Sequence, residues 1–522
     1  MEKKRSLWVA LVLLLGLLVS ACGAPAAAPS APAAAEVSEA AAPEGGTLTL
    51  SLGEDFTTFH PYFDVSTRYF KPIFFEPPIR ISDEGDFEPW LAESWELSDD
   101  KMSVTLKLRE GIKFHNGREM TADDVIWSFD LARNADLGHH LSDRFQTAES
   151  ATKIDDTTVQ LNYSEPTASI LDGLARMYIF PQEALDTIET VPVGTGPFKF
   201  EEWIPGDSMT ATAFEDYWRE GEPKLDKIVI KPLPDAQSRM VNLKAGTIDA
   251  LVNVPLLEVA SLREEPGMVV GKPDPGFSFW AFIMNVNRPP FDDVRVRQAM
   301  NYALDRQKLV DSVFYGESDT IVVPYAPTSW AYPEDLADYY SYDPERAKEL
   351  LAEAGYPDGF STQMLIRGTN DEHLAQAQVY QQDLAAVGID VELLPTELPQ
   401  YWPLLFDSDF AIVSHATGDT TVDPSGLFEG SACCRPFRNF FGITDNDTWF
   451  PEYEQVILDA RAEPDRDKRA ELYHRAVEIL LEQGWTIPTA WRQEVYAHTD
   501  KVDHFRVDMD TLLWLNETTI SE

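Results

Sequence analysis

Positive charge is in short supply in this chain: 42 Lys and Arg stand against 88 Asp and Glu, a formal net charge of −46. Such a surface repels phosphate backbones and anionic headgroups, which argues against nucleic acid as a partner and against electrostatic attachment to a membrane. The charge favours solubility and says nothing of a ligand. Cysteine is scarcer still, at three residues. Cys433 and Cys434 are adjacent; in an oxidising compartment they could form a strained vicinal disulfide, bond between molecules or stay reduced. No second Cys or His pair stands near them, so they are weak grounds for a metal site. Catalytic signatures are missing as well: there is no G-x-S-x-G elbow, no H-E-x-x-H and no Walker loop. The nine histidines are scattered except for His139-His140, which reads as a solvated loop pair in preference to a nickel site. With 88 carboxylates, close acid pairs are certain to occur and identify no hydrolase. The expectation is a protein that is not an enzyme and holds no metal or cofactor.

A long hydrophobic run is also lacking. Residues 7–18 are apolar and follow Lys3, Lys4 and Arg5, but they are too few for a comfortable transmembrane helix. The run ends in Leu18-Val19-Ser20-Ala21-Cys22, which resembles a lipoprotein signal with Cys22 as the lipidated residue. An ordinary signal peptide cleaved nearby is the alternative. Residues 23–45 are rich in Ala and Pro, cannot build a core, and read as a flexible tether. The body is therefore expected outside the cytoplasmic membrane, anchored by lipid and not spanning it. At 522 residues it is too long for one core, and 44% hydrophobic content with 36 prolines suits a globular, loop-rich fold.

The chain is organised around residues 91–124, LAESWELSDDKMSVTLKLREGIKFHNGREMTADD. Val104, Leu106 and Leu108 alternate with polar neighbours, the period of a half-buried strand. Gly111 and Asn116-Gly117 are turn formers. Thr121 and Asp124 form a capping box before Val125, Ile126, Phe129 and Ala132. This wording resembles the solute-binding proteins of ABC transporters for dipeptides, oligopeptides and nickel, with LAESWE, a KLREG turn, KFHNG and a TADDV helix. Further matches follow in the family's order. They are Gly194-Thr195-Gly196-Pro197-Phe198 with Trp203, Pro205-Gly206-Asp207 and Tyr217-Trp218, then RPPFDDVRVRQAMNYALDR, then EAGYPDGF. Read from the residues, Gly194 and Gly196 make a turn between strands and no phosphate cradle. Phe59-His60-Pro61 stands where the family carries Leu-Asp-Pro, a departure expected near the surface.

Periodicity supplies the remaining elements. Asp235 caps a helix over 236–245, residues 277–286 make a buried strand, and Asp292 or Asp293 caps the helix that follows. Asp343 and Pro344 open a helix that Gly355 closes. Strands at 363–367, 390–394 and 410–414 around a helix over 372–387 predict an α/β unit with a largely parallel sheet. A helix spans 466–483, and residues 516–522 read as a frayed tail.

The resemblance implies an α/β, two-lobed periplasmic-binding-protein fold of type II, cluster-C-like, with an extra subdomain in the first lobe. Its segments are expected at 46–75, 76–192 (the subdomain) and 193–286 for the first lobe, 287–490 for the second, and 491–522 for the return and tail. It also implies a cleft ligand and delivery to an ABC permease powered by two cytoplasmic ATPases, the binding protein acting as a monomer. Side chains just past strand ends in an α/β lobe face the ligand crevice. Arg367 and Asp419 hold such positions, and family members use them to clamp a peptide's carboxylate and its α-amino group. Each alone could equally be a surface arginine and a turn aspartate. Trp280, Phe279, Trp402, Tyr401 and Phe277 are aromatic candidates for the same cleft, with core packing as the plainer account of each. They keep an oligosaccharide open as the ligand, beside a di- or oligopeptide and a nickel chelate. An extracellular hydrolase or a sensor lipoprotein on the same scaffold is the reading from another class.

Overall fold

The computed structural model describes residues 45–63, 68–82, 85–167, 169–273, 278–368, 371–418, 423–424 and 450–521. Cys22, Asp419, Cys433, Cys434 and Phe277 lie outside them.

The first lobe is built on a seven-stranded sheet. Its centre is the opening strand Thr47–Leu52, parallel to Lys227–Pro232 on one side and to Ala250–Leu251 on the other. Leu48 and Leu50 are fully buried on its inner face. Ser208–Ala213 and Phe198–Ile204 extend one flank; Tyr496–Thr499 and Met268–Gly271 extend the other. A separate antiparallel sheet of four strands, Ala92–Leu97, Ser103–Leu108, Thr158–Tyr163 and Ala148–Asp155, forms the extra subdomain. Val104, Leu106, Val159 and Leu161 point from it into the core with no exposure, as their alternation predicts. Helix Ala122–Ala132 covers that face, and the Thr121 N–H donates to Asp124 Oδ2 at 2.9 Å.

Glu76 ties together the segments that flank these two sheets. Its buried carboxylate accepts from Trp90 Nε1 (2.9 Å), Thr195 Oγ1 (2.9 Å), Tyr217 Oη (2.7 Å) and Trp218 Nε1 (3.0 Å). Burial pushes its pKa up to about 7 against the pull of those four donors.

The second lobe carries a five-stranded sheet in the order Ile389–Thr396, Phe360–Arg367, Ile412–Gly418, Ser278–Met284, Thr486–Trp491. The first three strands are parallel, connected through helices such as Asp371–Ala386. Ser278–Met284 runs antiparallel to both its neighbours, Ile412–Gly418 and Thr486–Trp491, so the predicted strands are parallel as expected and one reversed strand makes the sheet mixed. The apolar run over 277–286, expected in the first lobe, supplies the strand Ser278–Met284 of this second sheet. Its residues from Phe279 to Met284 are all buried because strands flank it on both sides and packing covers both faces.

The chain passes between lobes twice, from Gly271 to Ser278 and from Trp491 to Tyr496. Beside these passages Phe279, Ala281, Ile321, Ala326, Trp491 and Met509 pack together, with Ile81 and Trp330 against them. This apolar seam joins first-lobe and second-lobe residues.

Three local expectations are corrected. Phe59 and His60 are buried, at 6% and 4% exposure, because Phe59 meets Phe56, Phe74, Phe200 and Trp203 in an aromatic cluster. His139 is buried too: its Nε2 pairs with the Leu131 carbonyl at 3.0 Å and its Nδ1 accepts from the Ser142 N–H. The tail is not frayed over its described length. Asn516 and Thr518 are buried, Asn516 Nδ2 donates to Tyr217 Oη at 2.7 Å, and Thr519–Ile520 pairs with Val502–Asp503.

Candidate functional site

Strand direction decides which side chains meet. Phe360–Arg367 and Ile412–Gly418 are parallel, with Leu365 opposite Val413, so both end at one edge of the second sheet. Ser278–Met284 runs the other way and begins at that edge, with Ser278 opposite Gly418 and Trp280 opposite Ala416. Thr486–Trp491 ends there too, with Trp491 opposite Phe279. Arg367, His415, Trp280 and Arg492 thus gather along one rim. The first lobe offers its own carboxyl-terminal edge, where Glu54 follows Thr47–Leu52 and Asn253 follows the adjacent parallel strand. Such edges are where open α/β sheets bind ligands.

Arg367 is the most telling residue of the rim. Its guanidinium lies 5.4 Å from the Trp402 ring centre, and it makes no ion pair among the described residues. Its Nε is buried without a hydrogen-bond acceptor among them. Burial lowers its pKa; Arg492 nearby adds to that, while Tyr401 and Glu54 oppose it. A half-buried cation left in this state favours an incoming anion.

Arg492 is better provided. Its N–H donates to the Ser278 carbonyl at 2.9 Å, and its guanidinium bridges to Glu494 at 3.1 Å and lies 6.0 Å from the Trp280 ring centre. Burial works against its charge, but Glu494, Tyr69, Glu372 and Glu54 outweigh that and raise its pKa. Glu54 and Tyr69 belong to the first lobe, so the two lobes face each other electrostatically across this rim. Tyr69 also shares hydrogen bonds with Asn253, whose backbone is left-handed at φ 59°.

The aromatic candidates divide. Trp402 is half-buried on helix Leu398–Phe406, stacked on Phe406 at 5.7 Å and beneath Arg367. It faces the rim. Tyr401, one residue earlier, is fully buried and its hydroxyl binds the Ser414 carbonyl and His415 Nδ1 at 3.2 and 3.1 Å. Trp280 is 3% exposed and packs on Phe314 and edge-on to His373 at 4.8 Å. Phe279 lies in the apolar seam against Trp491. His373 pairs with Ser414 Oγ at 2.9 Å; burial, with His415, Arg367 and Arg492 adding, depresses its pKa to about 3 and keeps it neutral.

Sequence reading did not single out Glu54, Asn253, His373, His415 or Arg492. The rule that found Arg367, a polar residue just beyond a strand, covers Glu54, Asn253 and Arg492 once strand ends are known. Among the described residues no group of three or more His, Cys, Asp or Glu is placed to hold a metal ion. No helix among them is long and apolar enough to cross a membrane.

Comparison with known proteins shows the family. Residues 86–439 match the model for bacterial extracellular solute-binding proteins, family 5 Middle. Heme-binding protein A of Haemophilus influenzae is 31% identical over 78% of this chain and 79% of its own length. The dipeptide-binding protein of Escherichia coli is 30% identical over 76% of this chain and 79% of its own. The ABC transporter-associated periplasmic binding protein DppA of Helicobacter pylori, solved with the peptide STSA, superposes with a TM-score of 0.78 at 25% identity. It covers 92% of this chain and 98% of that one. The chain therefore belongs to the bacterial extracellular solute-binding proteins of family 5, which bind cargo for transport and are not enzymes.

Proposed function

We propose that this protein captures short peptides between its lobes and delivers them to a membrane permease driven by two ATPases. The peptide carboxylate sits on Arg367 and its ammonium on Asp419. The observation that carries this reading is the half-buried Arg367 guanidinium, without an ion pair among the described residues and with an unaccepted Nε hydrogen, at a sheet edge facing the other lobe. A free carboxylate supplies the bidentate acceptor that such a group favours. The relative named for dipeptide binding and the one solved with a bound peptide support a peptide-like cargo. Closure follows from differential affinity: a ligand touching both lobes binds the closed state more tightly than the open one. The protein works as a monomer, held at the outer face of the cytoplasmic membrane through lipid on Cys22.

Thermal unfolding of the tether-free protein with dipeptides, their C-amidated and N-acetylated forms, oligosaccharides, haemin and nickel tests the reading. A bound ligand at a hundred times its Kd adds about 2.7 kcal/mol, a shift of a few degrees. The expected pattern is a shift with free dipeptides that amidation weakens and Arg367→Ala removes. A shift with sugars alone abandons the Arg367–Asp419 clamp for an aromatic cleft and leaves transport standing.

A further inference from the structure

The extra subdomain makes a contact that ligand binding alone does not require. Glu165 follows strand Thr158–Tyr163 of the four-stranded sheet, between Tyr163 and Ile170 of the first-lobe core. Its carboxylate meets Arg461 Nη2 at 2.6 Å. Arg461 lies near the end of helix Phe450–Ala462, whose Tyr453, Ile457 and Ala460 are in a second-lobe core. The ion pair therefore joins two different cores, and the Arg461 side chain is only 11% exposed within it.

A few residues further along the chain, in the short helix Ile170–Leu174, the arrangement continues. Asp172 is buried and held by Arg144 at 2.7 Å on its own lobe. Opposite, Asp423 is buried and held by Arg469 at 2.6 Å on the other. The two aspartates sense each other, since Asp423 is among the charges that raise the Asp172 pKa after burial itself. Asp172 and Asp423 are thus each paired with an arginine of their own lobe and bring no unpaired charge to the contact. Glu165–Arg461, by contrast, crosses from one lobe to the other.

Its place matters. Both interlobe passages leave from the seven-stranded sheet, and the four-stranded sheet shares no strand pairing with it. A second crossing pair, the bidentate Arg263–Glu317 at 2.6 and 2.7 Å, is close to a passage, because Lys272 Nζ reaches the Glu317 carbonyl. A pair beside a pivot changes little in a hinge motion. One carried by a separate subdomain must break when the lobes part.

We infer that Glu165 and Arg461 form a closure latch through which the extra subdomain holds part of the ligand-free population closed. The latch tunes the affinity of the cleft without touching ligand, and it rests on the binding-protein reading above. Partly exposed pairs contribute modestly, so losing this one lowers the closed-to-open ratio about two- to five-fold. A cleft whose competent state is less populated binds more weakly by the same factor.

Small-angle scattering of the ligand-free, tether-free protein tests this without any cargo. Glu165→Gln and Arg461→Gln should each enlarge the radius of gyration, as should raising salt from low to high ionic strength in the wild type. The charge-swapped double variant, Glu165→Arg with Arg461→Glu, should return it toward the wild-type value. Profiles of the single variants that superpose on the wild type, or a swap that restores nothing, would overturn the latch. Titration with the dipeptide Met-Leu separates the two readings. Changed scattering with no dipeptide bound by any variant sinks the peptide cargo and keeps the latch. Unchanged scattering with normal dipeptide binding does the reverse.

Discussion

Single charges in this molecule behave according to whether a partner reaches them. Arg367 lacks an ion-pair partner among the described residues and invites one from outside. Replacing it with Lys keeps the charge and loses the planar fork, so Arg367→Lys should bind free dipeptides more weakly than wild type and better than Arg367→Ala in the thermal-shift panel. Glu76 is the opposite case, a carboxylate surrounded by donors yet held near pKa 7 by burial. An unfolded glutamate titrates at about 4.3, so between that value and about 7 the folded chain keeps a proton the unfolded chain has lost. Its contribution to stability therefore falls as pH rises through that window. Glu76→Gln cannot titrate, and relative to wild type it should gain up to about 3 kcal/mol between pH 5 and 8, read by denaturant titration at each pH. At this scale sequence pointed to Arg367 through a strand-end rule. It could not show that His60 and His139 are buried, because the rings that pack on them, Phe180 on His60 and Tyr62 and Phe63 on His139, come from distant segments.

Elements were the most legible level, since caps and periods are local. Asp235, Asp293 and Asp343 each accept a backbone N–H from the first turn of the helix that sequence assigned to them. Strand Ser103–Leu108 and helix Arg466–Gln483 lie where alternation and helical spacing put them. The Gly194-Thr195-Gly196 stretch is more constrained than a turn need be. A Cβ on Gly194 would stand 2.1 Å from the Phe74 carbonyl oxygen, and one on Gly196 would stand 2.6 Å from that of Ile73. Backbone cannot yield as a flexible side chain does. Gly194→Ala should cost more than about 2 kcal/mol in chemical denaturation, while Gly117→Ala, with no such neighbour, is limited to the strain of its left-handed φ. What periodicity missed was the one reversed strand, Ser278–Met284, that makes the second sheet mixed. A buried apolar run such as that of Ser278–Met284 carries no mark of which sheet it will join.

The proposed closing on cargo draws on the whole molecule: two lobes, two passages between them and a rim of charge on either side. The proposed tie to the membrane is lipid on Cys22. Cys22→Ser should release the full-length protein from the membrane fraction into the soluble one and abolish labelling by radioactive palmitate; retention of both would remove the lipid anchor from the account. By itself the sequence determined the family, through ordered motifs that cover most of the chain, and it determined the class of element in each stretch, because capping and burial period are written in neighbouring residues. Only the tertiary structure decided which strand ends share a rim, which aromatics face it and which lie in the core or the seam, and that Glu165 meets Arg461. Those are meetings between residues tens to hundreds of positions apart, fixed by sheet order and lobe packing, and no local pattern encodes them.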